Sequence, residues 1–326
     1  MKLFCKTASV FVALLTLTVP MAAVSSEPFP SKQVHLVVPF SPGGATDVVA
    51  RVVGQKLSLL WNKPVIVENK PGASSTLGAD YVRKSPADGY TLLVGGPSGM
   101  TATAAVNPKI MRFDPVNDFK PVSVIATMPF VLSVNPDIGI KSVEDLVGLA
   151  KANPGKYTYA SSGPGSSSHL FTEMFKFMAG VDILHVPYQG SAPGLNAVTA
   201  GQVSMVMTPI NVISVLAKGG RVLPVGVSTA ARTADMPELP PIGDSVKGYA
   251  LEGWLALFAP KGTPDSVTQK IAADLRTVIQ SPDLARTFRE NGLVAVGSNP
   301  DAALSVVKND LERWQRVVKM ANIKPE

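Results

Sequence analysis

The chain has 326 residues, 46% of them hydrophobic and 17% charged, with 30 Lys and Arg against 24 Asp and Glu. That length allows two domains with sizeable cores. The formal charge of +6 comes from no clustered basic run, which argues against a nucleic-acid partner and leaves a diffuse field favouring small anions.

Residues 1–26 read as an export signal. Lys2 and Lys6 open it, Ala8 to Pro20 is almost wholly apolar, and the small residues Ala22, Ala23, Ser25 and Ser26 follow. The apolar run falls short of the roughly 20 residues that a membrane span needs. Loss of the segment removes two lysines, leaving +4, and removes Cys5, the lone cysteine. The mature chain is then soluble, tolerates an oxidising compartment and relies on its core rather than on a disulfide.

Val34-His-Leu-Val-Val38 is a β-branched run closed by Pro39 and predicts a strand. Val49, Val52, Val53, Leu57 and Leu60 recur at spacings of three and four, predicting a helix over 46–60. Between them, Ser41-Pro-Gly-Gly-Ala-Thr46 sets two glycines before the unpaired amides of a helix start, which makes an anion cradle. Asp47 already places one negative charge there, so the turn suits a carboxylate better than a polyphosphate. A strand over 64–68, a helix over 76–82 and a strand over 90–94 follow, with turns at 69–75 and 86–89. This alternation predicts a mostly parallel sheet flanked by helices, with ligands outside the carboxyl ends of its strands. Three Gly- and hydroxyl-rich loops, 40–46, 72–76 and 95–99, then share one edge.

The device recurs further on. Strands are predicted at 129–134, 157–160, before Val186, over 201–208 and over 222–227. Ser142 with Asp145 starts a helix that Asn153-Pro-Gly155 ends. Ser161-Ser-Gly-Pro-Gly-Ser-Ser-Ser-His169 leads into a helix over 170–178. Two such lobes with facing Gly/Ser loops suggest a cleft closed by hinge motion. A strand over 250–258 returns to the first lobe. Helices follow Thr263-Pro264, with Thr263 as cap, Ser281-Pro282 and Asn299-Pro300, with Trp314 on the apolar face of the last; Trp254 packs or, as the alternative, walls the cleft.

These pieces resemble the substrate-binding proteins of the tripartite tricarboxylate transporter family, the Bug-type receptors, over the whole mature chain. The marks are Pro39-Phe-Ser-Pro-Gly-Gly-Ala-Thr-Asp47 with Ala50-Arg51, Val67-Glu-Asn-Lys-Pro-Gly-Ala73 and Pro86-Ala-Asp-Gly-Tyr-Thr-Leu92. Asp118-Phe-Lys-Pro121, Val186-Pro-Tyr-Gln-Gly190, Gly201-Gln-Val203 and Ala259-Pro-Lys-Gly-Thr-Pro264 continue them. The resemblance implies an α/β, two-lobe periplasmic-binding-protein fold of type II-like form. The first lobe takes 27–126 and 249–326, and the second 127–248. It implies a monomeric periplasmic receptor without cofactor or metal, clamping a di- or tricarboxylate or an aromatic acid and delivering it to membrane permease subunits. A receptor that presents its ligand to a membrane sensor is the alternative. Two departures stand out: Ser74 and Ser75 where many members have glycines, and Ser204 where many have Asp, which disfavours an amino-bearing ligand if that position faces the cleft.

The expected ligand-binding residues are Phe40, Ser41, Gly43, Gly44, Ala45, Thr46, Asp47, Ser74 and Ser98 from one lobe. The other supplies Ser161, Ser162, Gly163, Gly165, Ser166, Ser167, His169, Tyr188 and Thr208. The amides of Gly43, Gly44 and Ala45 are expected to meet the carboxylate. Catalysis finds little support. The three histidines are His35, His169 and His185, and a serine hydrolase through His169 is a distant reading because Ser166 to Ser168 lie too close to it along the helix start to face it. Gly163-Pro-Gly165 lacks a dinucleotide fingerprint, no Walker sequence occurs, and no set of residues has metal-ligand spacing.

Overall fold

The computed structural model describes residues 28–43, 45–188, 190–320 and 323; the expected signal segment lies outside them. The first part of the chain gives β1 (Val34–Val38), α1 (Ala45–Trp61), β2 (Val65–Asn69), α2 (Thr76–Arg83), β3 (Thr91–Gly95), α3 (Thr103–Val106) and β4 (Phe119–Met128). Then come β5 (Phe130–Val134), α4 (Val143–Ala152), β6 (Thr158–Ser161), α5 (Ser167–Ala179), β7 (Leu184–Pro187) and α6 (Ser191–Thr199). β8 (Met205–Pro209), α7 (Ile210–Lys218), β9 (Leu223–Val227) and α8 (Ile242–Ser245) follow. The return consists of β10 (Gly253–Pro260), α9 (Asp265–Ile279), α10 (Pro282–Glu290), β11 (Val294–Ala295) and α11 (Pro300–Met320).

The strands form two sheets, one in the order β11-β4-β10-β3-β1-β2 and one in the order β7-β6-β8-β5-β9. In the first, β1 runs parallel to β2 and β3. Its Val34, Leu36 and Val38 enter one core and Val37 another, so both faces are covered along most of the strand, with His35 the one polar and partly exposed position. The sheets are mixed rather than mostly parallel. β10 pairs antiparallel with β3 and β4, and β5 pairs antiparallel with β8 and β9. The chain leaves the first sheet along β4 and comes back along β10, so these two strands run in opposite directions. β4, for which the sequence reading has no counterpart, is the ten-residue spine of that crossing.

Caps set several boundaries. Ser142 Oγ accepts the Asp145 N–H at 3.0 Å while Asp145 Oδ2 accepts the Lys141 N–H at 3.0 Å, a reciprocal start for α4. Asn299 Oδ1 accepts the Ala302 N–H at 2.8 Å and opens α11. Thr263, expected as a cap, instead turns its hydroxyl back to the Pro260 carbonyl at 2.8 Å. α5 begins three residues before the expected Leu170, because Ser166 Oγ accepts the His169 N–H at 3.3 Å and draws Ser167 to His169 into the helix.

α11 belongs to both halves. Ala303 and Val307 pack with Met100, Trp254 and Phe258 against the first sheet, while Trp314 and Val317 join Phe130, Phe171 and Phe175 in the second core. Trp254 and Trp314 are both buried, as expected of packing residues.

Candidate ligand cleft

A cavity of about 450 Å³ opens where the first sheet's loops meet the start of α5. Pro39, Phe40, Ser41, Pro71, Gly72, Ser75, Ser98, Thr103, Val106, Asn107 and Ile110 line it from one side, and Pro164, Gly165 and Ser166 from the other. Its size suits a small molecule. Among the described residues, no Lys, Arg, Asp or Glu stands in this lining. Any charge bound there is met by dipoles and hydroxyls.

The first wall is braced from behind. Arg51 grips Asp47 with two parallel bonds, Nε to Oδ2 and Nη2 to Oδ1, each 3.0 Å. Asn69 Nδ2 donates to Asp47 Oδ1 at 2.8 Å and to the Phe40 carbonyl at 3.1 Å. The Gly43 N–H, at φ +90°, donates to Asp47 Oδ2 at 3.0 Å. Asp47 is therefore a buried strut rather than a ligand contact, and the Gly43 amide is already engaged. The Arg51 hydrogen bonds hold the Asp47 carboxyl down to about 2. Ser75, next along the wall, is buried with φ +74°, and Ala73 has φ +47°. Non-glycine residues seldom take such angles, and strain of this kind gathers at ligand clamps.

The second wall is a network of hydroxyls. Ser166 Oγ donates to the Gly163 carbonyl at 2.6 Å and meets Ser168 Oγ at 3.1 Å. Ser168 Oγ accepts the Ser162 N–H at 2.9 Å, and Ser162 Oγ pairs with Ser191 Oγ at 2.8 Å. Ser161 Oγ lies 2.7 Å from His185 Nε2 and accepts the Gly163 N–H at 3.1 Å. Beneath them His169 stacks on His185, with ring centroids 4.3 Å apart, and His185 on Tyr159 at 4.8 Å. His169 Nδ1 accepts the Gly165 N–H at 3.0 Å, and burial together with His185 pulls its pKa down to about 4. The imidazole is thus neutral near pH 7 with its proton on Nε2.

Of the expected site residues, Phe40, Ser41, Ser98, Gly165 and Ser166 line the cavity. Ser161, Ser162, Gly163 and His169 form the layer beneath, bonded to one another and to Ser168, Ser191 and His185. Ser167 opens α5 without lining the cavity. Thr46 lies within α1, one residue after Ala45 begins it, and Ser74 falls in the 3-10 turn 73–75. Gly44 is outside the described residues. Tyr188 packs half-buried against the Leu195 core, and Thr208 is buried within β8. Ser204 exchanges bonds with Thr158 at the amino end of β6, away from the ligand loops at its carboxyl end, so its departure from the family pattern carries no consequence for the cleft. His35, within β1, is partly exposed and paired with Glu68.

The sequence reading missed Pro39, Pro71, Gly72, Ser75, Thr103, Val106, Asn107, Ile110 and Pro164. Loop 72–76 was marked, but its hydroxyl in the lining is that of Ser75. Segment 103–110 carries no Gly/Ser signal at all. It reaches the cleft because one π-helical turn, Ser98–Ala102, runs straight into α3.

Among the described residues no group of His, Cys, Asp and Glu could hold a metal ion, and no helix is long and apolar enough to cross a membrane.

Residues 49–323 match the tripartite tricarboxylate transporter family receptor. A protein from Pseudomonas sp. strain P51, described as a UPF0065 protein in the tcbD-tcbE intergenic region, is 35% identical over 94% of this chain and 91% of its own. The structure of Rpa4515 from R. palustris with adipate is 37% identical, covers 91% of this chain and 100% of its own, and has a TM-score of 0.79. That of MatC from Rhodopseudomonas palustris with bound malate is 28% identical over 89% of this chain and 100% of its own, with a TM-score of 0.74.

Proposed function

The chain belongs to the tripartite tricarboxylate transporter receptor family, and from that premise we propose that it captures a small dicarboxylate in the cleft and hands it to a membrane permease. The observation that carries this reading is the lining: hydroxyls of Ser41, Ser75 and Ser98, beside Thr103 and Ser166 whose protons go to carbonyls, around the apolar faces of Phe40, Val106 and Ile110, with no charged side chain among the described residues of the lining. Hydroxyls and amides grip carboxylate oxygens at the ends of such a ligand, and the apolar faces suit a methylene body between them. Adipate in a relative 37% identical is a ligand of that shape. With no acidic residue among the described residues of the lining, an ammonium group is disfavoured, so amino acids are poor candidates.

Binding rather than catalysis also accords with the hydroxyls. Ser161 is buried beside His185, and Ser166 donates its proton to a carbonyl, so neither offers a free nucleophile to a ligand in the cleft. Residues 1–26 act as the export signal in this reading, and the receptor works in the periplasm.

Purified protein freed of co-purified ligand is titrated with mono-, di- and tricarboxylates, amino acids and aromatic acids while its melting temperature is followed. Exclusive binding to the native state raises stability by about 2.7 kcal/mol at a hundredfold excess over Kd. Shifts with adipate or a neighbouring dicarboxylate, and none with amino acids, support the proposal. A panel in which no acid moves Tm overturns it.

A further inference from the structure

α11 reaches both walls of the cleft through one buried side chain. Asp310 Oδ2 accepts the Thr101 hydroxyl at 2.5 Å and the Trp314 indole N–H at 3.0 Å. Thr101 sits in the π-helical turn 98–102, whose Ser98 lines the first wall and which continues into the Thr103 and Val106 of that wall. Trp314 stacks on Phe171 of α5, ring centroids 5.6 Å apart and planes at 22°, one turn past Ser166 of the second wall. Asp310, Thr101 and Trp314 are all buried. The walls also pack directly, since Ala102 and Val106 share a core with Leu170 and Phe171, and a Cβ built on Gly165 stands 3.9 Å from the Val106 methyl.

We propose that Asp310 is a positioning residue that couples the two walls, so that a displacement of the 98–106 segment is transmitted through Trp314 to the start of α5. A carboxylate oxygen shared by donors fixed to different parts of the chain is directional. Neither donor shifts without weakening its own bond or dragging the other. Packed side chains with few alternative arrangements transmit such shifts over a short path. The coupling rests on the binding reading for its use in closure, but its test needs no ligand, so the two fail separately.

Hydrogen exchange is measured by mass spectrometry on the unliganded chain for peptides covering 98–107, 161–171 and, as a control, β1. Thr101→Val keeps the side-chain shape and deletes one donor. The expected result is roughly tenfold faster exchange in both 98–107 and 161–171 with β1 unchanged, the size expected when a buried hydrogen bond is lost. Asp310→Asn, whose amide oxygen accepts both donors, stays within about twofold of wild type, while Asp310→Leu reproduces Thr101→Val. Should Asp310→Leu fail to fold, the Thr101→Val and Asp310→Asn pair decides alone. Faster exchange confined to 98–107, a uniform rise that includes β1, or an Asp310→Asn protein as loose as Thr101→Val overturns the proposal.

Discussion

His169 Nδ1 accepts the backbone N–H of Gly165 at 3.0 Å, across the turn whose Gly165 and Ser166 border the cleft. The bond requires an unprotonated Nδ1. The second wall is therefore organised by a neutral histidine stacked on His185.

Acid should loosen this wall. His169 has a pKa of about 4 in the fold against 6.5 when unperturbed. Because the folded value is depressed, the unfolded chain binds the proton first as pH falls. The stabilisation is present above pH 6.5 and disappears as pH drops through 4. Its full size is on the order of 3 kcal/mol. Melting temperatures recorded from pH 7.5 to 4 should fall for wild type and flatten in His169→Gln, which accepts the Gly165 N–H without titrating. Equal slopes would refute the assignment.

The strut behind the first wall gives a second test. Asp47→Ala removes both Arg51 bonds and leaves the Gly43 N–H and the Asn69 amide without their acceptor. A loss of about 1.5–3 kcal/mol in urea unfolding is expected, with weaker binding of the proposed dicarboxylate because loop 40–43 keeps only the Asn69–Phe40 bond. Asp47 titrates lower, from 3.8 towards about 2, so its contribution persists through the His169 window and fades only below it.

Two glycines should respond in opposite directions to alanine. A Cβ on Gly78 would stand 2.8 Å from the Lys70 carbonyl oxygen and 3.0 Å from Pro39 Cα, pushing α2 away from the loops that supply Pro39 and Pro71 to the cleft. Gly78→Ala should cost about 1–3 kcal/mol. Gly148, in α4, has open space around it, and Gly148→Ala should add about 0.5–1 kcal/mol of helix stability. Chemical denaturation of both variants checks the pair.

Charge at the rim tests what the cleft admits. Ser41 is exposed and lines the cavity. Ser41→Asp should weaken binding of the proposed dicarboxylate roughly tenfold at low salt, Ser41→Lys should preserve or strengthen it, and neither should move Tm without ligand. Calorimetric titration at two salt concentrations reads this directly. A lysine variant as weak as the aspartate one would mean that the ligand's carboxylates lie elsewhere.

Local order was decided by the sequence itself. Apolar runs ended by Pro39, spacings of three and four from Val49 to Leu60, and the caps at Ser142 and Asn299 act within a few residues, so strands, helices and the Gly/Ser turns between them can be read along the chain. Tertiary structure decided the rest. The antiparallel pairing of β4 with β10 joins residues more than a hundred positions apart, and no local period reports it. It also decided which polar groups are spent inside the protein. Asp47 turns to Arg51 and Asn69, Ser161 and Ser162 turn to His185 and Ser191, and Thr103 and Ser166 give their protons to the Ser98 and Gly163 carbonyls, leaving Ser41, Ser75 and Ser98 among the hydroxyls that line the cleft. A hydroxyl bonds whichever partner folding brings within about 3 Å, and only the assembled lobes fix which partner that is.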